Sequence, residues 1–314
     1  MIVSASRRTD IPACYSDWFF NRIKAGFVWI RNPMNPHQIS RISLTPDVVD
    51  GIVFWTKNPT PMLNRLGELK AYPYYFQFTL TAYGHDIEPN LPPKDTELLG
   101  AFQRLSDAIG PDRVIWRYDP ILIGERYSYE RHLQAFEKIA KSLQNHTRRV
   151  TISFIDTDYH NVKANIKTLA LKNFSTQDKV AMGAMLCEIA RGYGLAMDAC
   201  AEMLDLRPDG IERARCVDGQ LFEKMLGCPL DVVKDKTQRA QCLCDQSIDI
   251  GEYNTCTNAC RYCYANYNSG IVHANHLKHN PQTPLLSGDV MEGDKVSSRA
   301  VKSFREGQMR LRDI

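Results

Sequence analysis

Short β-type runs alternate with helical patterns along almost the whole chain, and this alternation narrows the fold more than any other feature. The expected strands are Ile2–Ser6, Phe27–Arg31, Ile52–Lys57, Tyr74–Leu80, Arg113–Asp119, Val150–Asp156, Leu195–Ala201 and Ser247–Tyr253. Helical patterns lie between them over Asp17–Ala25, Pro61–Lys70, Asp95–Ile109, Tyr129–Leu143, Thr176–Arg191 and Gly219–Leu226. Pro, Gly or Asn punctuates most junctions. Such alternation predicts a mostly parallel sheet of the α/β class, and with this many units a complete or partial TIM-like (β/α) barrel. The second strand reads two ways, because Phe27–Arg31, the turn Asn32–Pro36 and Gln38–Leu44 also fit a protruding hairpin.

Strands covered on both faces should be apolar throughout. Here they split. In Phe76-Gln77-Phe78-Thr79-Leu80-Thr81 the Phe and Leu side chains take one face and Gln77, Thr79 and Thr81 the other. The same two-residue spacing groups Ser4, Ser6 and Arg8, then Arg117 and Asp119, then Asp198, Cys200 and Glu202, and finally Ser247 and Asp249. With parallel strands this predicts a polar lumen suited to a charged ligand; an antiparallel sheet with one wet face is the alternative.

At 314 residues and 44% hydrophobic content the chain can bury a large core, as one large α/β domain or two smaller ones. We read residues 1–272 as the barrel and 273–314 as a charged, irregular tail that wraps around it with one short helix. A net charge of +3 does not call for a nucleic-acid or membrane partner. The apolar part of the first residues is too short for a signal peptide, and no run approaches the roughly 18 apolar residues of a membrane span. These features point to the cytoplasm. Trp18-Phe19-Phe20 and Pro73-Tyr74-Tyr75-Phe76 carry no basic interleaving and read as core. The basic stretch Lys295–Arg312 reads as a solvated face, so nucleic acid is not indicated.

Ten cysteines in a chain without an export signal need another explanation than disulfides, and eight of them lie between Cys200 and Cys263. Metal ligation is the leading reading. Cys256, Cys260 and Cys263 form C-x3-C-x2-C directly after an expected strand, with Tyr262 before the third cysteine. Three thiolates on one tight loop can each hold one iron of a cubane cluster and leave the fourth iron open, whereas zinc favours four closed ligands.

This motif resembles the signature of the radical S-adenosylmethionine (SAM) superfamily. The resemblance implies a [4Fe–4S] cluster on Cys256, Cys260 and Cys263, SAM chelated to the open iron, and Tyr262 near the adenine. It further implies reductive cleavage of SAM to methionine and a 5′-deoxyadenosyl radical that abstracts hydrogen from a substrate. A low-potential electron donor such as flavodoxin or ferredoxin would be the partner. In most of that superfamily the loop follows the first strand; here it follows the last. A circularly permuted barrel would accommodate this if Ser247–Tyr253 lies beside Ile2–Ser6. Nearly the whole chain also resembles the family named domain of unknown function 1848, through SASRRTDIPA, RNPMNP, VFWTKNP, YYFQFTLTAYG, VIWRYDPI, the CAE at Cys200, KDKTQRAQCLC, SIDIGEYNTC and ACRYCYANY.

Cys242 and Cys244 form C-x-C, whose alternate side chains point one way in an extended segment. With Cys200 and Cys216 they make four ligands, suited to an auxiliary [4Fe–4S] cluster or a zinc ion. Cys14, Cys187 and Cys228 read as simple core or surface thiols. Working residues in barrels come from the C-terminal ends of strands. That points to Arg7, Arg8, Asp10, Lys57, Arg117, Asp119 and Glu202, as partners for SAM or for an anionic substrate. Structural ion pairs are the competing reading. A non-catalytic, metal-stabilised binding protein and a nucleic-acid repair or modification enzyme, by analogy with spore photoproduct lyase, are the alternative functions.

Overall fold

The strands follow the chain as β1 (Ile2–Ala5), β2 (Phe27–Asn32), β3 (Asn35–Ser43), β4 (Gly51–Thr56), β5 (Tyr74–Thr79), β6 (Val114–Ile121), β7 (Arg149–Phe154), β8 (Ala196–Ala199), β9 (Glu212–Arg213), β10 (Ser247–Asp249) and β11 (Lys295–Ser298). The α-helices are α1 (Ile11–Cys14), α2 (Ser16–Ala25), α3 (Thr60–Leu63), α4 (Leu99–Ile109), α5 (Tyr129–Leu143), α6 (Thr176–Gly192), α7 (Gly219–Leu226) and α8 (Ser269–Leu277). This computed structural model describes residues 1–156, 162–163, 169, 171–172 and 174–305. The end of the expected wrapping tail, including Arg310 and Arg312, lies outside the described residues.

Among the described residues eight strands form one parallel sheet in the order β10-β1-β4-β5-β6-β7-β8-β9, and no ladder joins β9 to β10. The pairing of β10 with β1, with Ile2 opposite Ser247 and Ser4 opposite Asp249, places the last strand of the sheet beside the first. Phe27–Arg31 is not a strand of this sheet. It pairs antiparallel with β3, and β11 adds to the other side of β3. The Asn- and Pro-rich turn between β2 and β3 favours a hairpin over a crossover.

Two expected helices begin or end differently. Pro61–Lys70 is split into α3 and a 3-10 turn at Leu66–Leu69, with Asn64 and Gly67 as the weak helix formers at the break. Asp95–Ile109 starts as a π-type turn at Lys94–Leu98 before α4. The helix signals of α6 are strong, with a capping box formed by Ser175 and Asp178.

The two faces of the sheet differ as the alternation predicts. Val3, Ile52, Phe54, Phe76, Phe78, Trp116, Val150 and Ile152 pack outward against Phe19, Phe20, Phe102, Phe136 and Leu186 of the surrounding helices. Ring contacts such as Phe54–Phe76 at 4.7 Å and Trp116–Phe136 at 4.6 Å stiffen this layer. Each such side chain contributes about 1.5–3 kcal/mol on burial. On the opposite face Ile2, Val53, Tyr75 and Ile115 meet Val217 and Phe222, while Ser4, Gln77, Arg117, Thr151 and Asp198 are buried polar groups nearer the strand C-termini.

The segment after α8 packs against α2. Trp18 Nε1 donates to the carbonyls of Thr283 and Leu285, each at 3.0 Å, and Arg22 donates to Gln282 O at 2.9 Å. Farther on, Asp50 gathers the chain. Its carboxylate accepts from Phe304 N at 2.6 Å, Ser303 Oγ at 2.5 Å, Arg305 Nε at 3.0 Å and the Met1 amine. Among the described residues no helix is long and apolar enough to cross a membrane.

Asp50 is fully buried, so Asp50→Ala leaves cationic and amide donors without an acceptor. The expected loss is about 3–5 kcal/mol of unfolding free energy, measured by urea denaturation followed by circular dichroism.

Candidate functional site

The cysteine loop starts where β10 ends. Asp249, its last residue, accepts from Ser4 Oγ at 2.9 Å, Ser6 Oγ at 2.7 Å, Arg7 N at 2.7 Å and Gly251 N at 3.0 Å. Arg8 Nε stands 3.4 Å away. This single carboxylate ties the C-terminal ends of β10 and β1. The chains pass so closely that a Cβ on Gly251 would lie 2.0 Å from Ser6 Oγ, so glycine is required there.

The loop itself is closed by Asn254 N donating to Ala265 O at 3.0 Å, and by Asn266 Nδ2 reaching Cys256 O at 2.5 Å. Asn254 and Ala259 adopt positive φ of 55° each, which lets the backbone curl between the cysteines. Neighbouring elements grip it from outside. Tyr15 Oη donates to Thr255 O at 2.5 Å, Asn90 Nδ2 to Thr257 O at 2.7 Å, and Arg261 N to Ile87 O at 2.9 Å. Cys263 N donates to Cys260 O at 3.1 Å. Cys256, Cys260 and Cys263 are partly buried and lie within electrostatic range of one another. Burial pushes the Cys260 thiol well up, and that of Cys263 up to about 11. Cys14 is more than a core residue: its Sγ lies 3.3 Å from Thr257 Oγ1 and in reach of the Cys256 thiol.

Beside the loop stands a charged cluster that the strand-end reading found only in part. Lys57 Nζ donates to Tyr262 Oη at 2.6 Å and to Glu88 Oε1 at 2.9 Å. Glu88 also takes Thr81 Oγ1 at 3.0 Å, and Tyr262 Oη and Lys94 Nζ in close contact. Burial alone would raise the Glu88 carboxyl, but the ammonium groups of Lys57 and Lys94 hold it down at about 2. Glu88 and Lys94 sit in the loop after β5 and in the turn before α4, where no periodicity marks them. Their one sequence signal is position past a strand C-terminus.

Asp10 has a structural task. Its carboxylate caps α1 through Ala13 N at 3.0 Å and accepts from Lys57 N at 2.7 Å and Asn258 Nδ2 at 3.0 Å, which pins the cysteine loop to β4. Glu202 is likewise engaged, accepting from Phe154 N at 2.8 Å, and burial pushes its carboxyl up.

A second group gathers Cys200, Cys216, Cys242 and Cys244. The Cys216 and Cys200 sulfurs lie 3.4 Å apart, and Cys244 reaches both Cys216 and Cys242. Arg117 Nη1 donates to Cys216 Sγ at 3.0 Å, and its Nε to Asp119 Oδ2 at 3.0 Å. Arg7 lies over the Trp55 ring and in reach of Cys244. Lys57 senses both Cys260 and Asp119, so the two groups share one rim of the sheet. Cys187 is buried in α6, its thiol 3.7 Å from Gly210 O, and Cys228 is half-buried. Among the described residues no three Cys, His, Asp or Glu side chains already surround a metal-ion position.

The fold and site define an α/β protein whose thiol-rich loop lies at the C-terminal edge of a parallel sheet. Residues 2–265 match the family described as Domain of unknown function (DUF1848), and the chain belongs to that family. Neither the search of curated proteins nor that of solved structures gave a match.

Glu88→Gln leaves two buried ammonium groups without their counter-charge, and about 3 kcal/mol of stability should be lost at neutral pH. A carboxyl depressed in the fold stabilises above its unfolded value and loses that contribution as pH falls through the folded one. Urea titrations across the acid range should therefore show wild type and variant converging as pH falls from about 4 toward 2.

Proposed function

We propose that this chain is a radical SAM-type enzyme built on a circularly permuted, partial (β/α) barrel, acting in the cytoplasm on an unidentified substrate. The observation that carries the reading is the β10–β1 pairing, which brings the C-x3-C-x2-C loop to the strand end where the superfamily that it resembles keeps its own. The donor set fits. Three thiols sit on one loop, closed by backbone hydrogen bonds, with a polar, partly buried rim beside them.

Cys256, Cys260 and Cys263 would hold a [4Fe–4S] cluster, and the C-x3-C-x2-C loop contributes no fourth thiolate. When bound, such a cluster supplies the electron that cleaves SAM to methionine and a 5′-deoxyadenosyl radical. Lys57 orients the Tyr262 hydroxyl, and the Tyr262 ring packs beside Tyr83. Lys57 supplies positive charge for a carboxylate, and Asp119 supplies negative charge for an amino group. Asp10 and Asn258 keep the loop in place rather than touching a ligand. A low-potential flavodoxin or ferredoxin would deliver the electron.

Anaerobic reconstitution of the full chain with iron and sulfide should give brown protein. SAM with dithionite should then release 5′-deoxyadenosine, quantified by liquid chromatography and mass spectrometry. Cys260→Ala should lower the product by more than the roughly 10–100-fold lost when an outer-shell partner of a metal ligand is removed. Colourless protein that leaves SAM intact would overturn the reading.

A further inference from the structure

Among the described residues the eight-stranded sheet has two edges, β9 and β10, that no ladder joins. The second thiol group lies across this gap. Cys200 follows β8, Cys216 follows β9, and Cys242 and Cys244 lead into β10. We propose that these four cysteines bind a single zinc ion, which ties together the two edges that no strand ladder pairs. This site is independent of the cluster proposed on Cys256, Cys260 and Cys263.

Burial and aimed donors separate this group from ordinary core thiols. Cys216, Cys242 and Cys244 are 2%, 7% and 3% exposed. Plain buried thiols behave as small apolar side chains and do not attract charged or amide donors. Here Val217 N points at Cys244 Sγ at 3.4 Å, Cys244 N at Cys242 Sγ at 3.5 Å, and Arg117 Nη1 at Cys216 Sγ at 3.0 Å. N–H donors around a sulfur are the outer partners expected of a metal-bound thiolate. Four thiolates on a divalent ion leave a doubly negative centre, and Arg117, which also pairs with Asp119, and Arg7, which also lies near Asp235, face it.

Spacing selects the ion. Zinc–sulfur bonds of about 2.3 Å in a tetrahedron place ligand sulfurs about 3.8 Å apart. The Cys200 and Cys216 sulfurs are already 3.4 Å apart, with Cys244 and Cys242 next in the row. A cubane cluster would hold each thiolate on a different iron and force these sulfurs out of contact. Binding one ion only requires the row to fold around it. The surroundings are fixed: Tyr75 Oη and Gln77 Nε2 hold the Cys216 carbonyl at 2.7 and 2.9 Å, and Asp245 N donates to Val217 O at 3.0 Å.

The test is metal analysis of the full chain, purified without added metal, as wild type and as Cys256→Ala/Cys260→Ala/Cys263→Ala. Both should hold about one zinc per chain, with iron in the wild type alone. Cys242→Ser/Cys244→Ser should lose the zinc and keep the iron. Iron in the triple variant, or no tightly held metal there, would overturn the proposal. Should the double variant not fold, cobalt(II) exchanged into the triple variant decides. Intense d–d bands with a thiolate charge-transfer band support four-sulfur tetrahedral ligation, and the weak spectrum of six-coordinate cobalt contradicts it. If the cluster of the Proposed function is absent, wild type simply lacks iron, and the zinc result stands by itself.

Discussion

The arrangement depends on one carboxylate. Asp249 ends β10 and receives both serine hydroxyls of the β1 terminus together with the backbone of Arg7 and Gly251. Strands separated by most of the chain length are thereby held in register at their C-terminal ends, where loops carry function in parallel α/β sheets. Closing so long a loop costs chain entropy, which a few hydrogen bonds cannot offset. The apolar face of the sheet, from Val3 to Ile152, supplies most of the compensating free energy. Asp249 then decides where the cysteine loop lies.

The other face carries charges that are nearly all matched. Glu88 has two ammonium partners, Arg117 has Asp119, and Arg7 lies 3.7 Å from Asp235. Taking such groups from water is expensive, and pairing only repays it. A fold selected for stability alone would fill this face with apolar side chains. The two groups of thiols lie beside these charges.

Much of this was legible in the sequence because period-two alternation reports directly which side chains share a face. Phe76, Phe78 and Leu80 are in the outer core, while Gln77 touches the Cys216 carbonyl, as the pattern required. The spacing of Cys256, Cys260 and Cys263 and the proximity of Cys200, Cys216, Cys242 and Cys244 were likewise readable. Glu88 and Lys94 were not, because their importance comes from a long-range meeting with Lys57 and Tyr262. Asp10 stands at a strand end, where a carboxylate can serve chemistry, yet it is occupied by a helix cap and two loop contacts; a strand-end position cannot distinguish those tasks. The two-residue β9 is too short to leave a periodic signal.

A cluster proposed on Cys256, Cys260 and Cys263 would leave one iron open to SAM. Electron paramagnetic resonance of the reduced, reconstituted chain tests it directly, with SAM carrying nitrogen-15 and oxygen-17 in its methionyl amino and carboxylate groups. SAM should shift the cluster signal, and electron–nuclear double resonance should show coupling to both labels. A reduced cluster whose spectrum does not respond to SAM would contradict it.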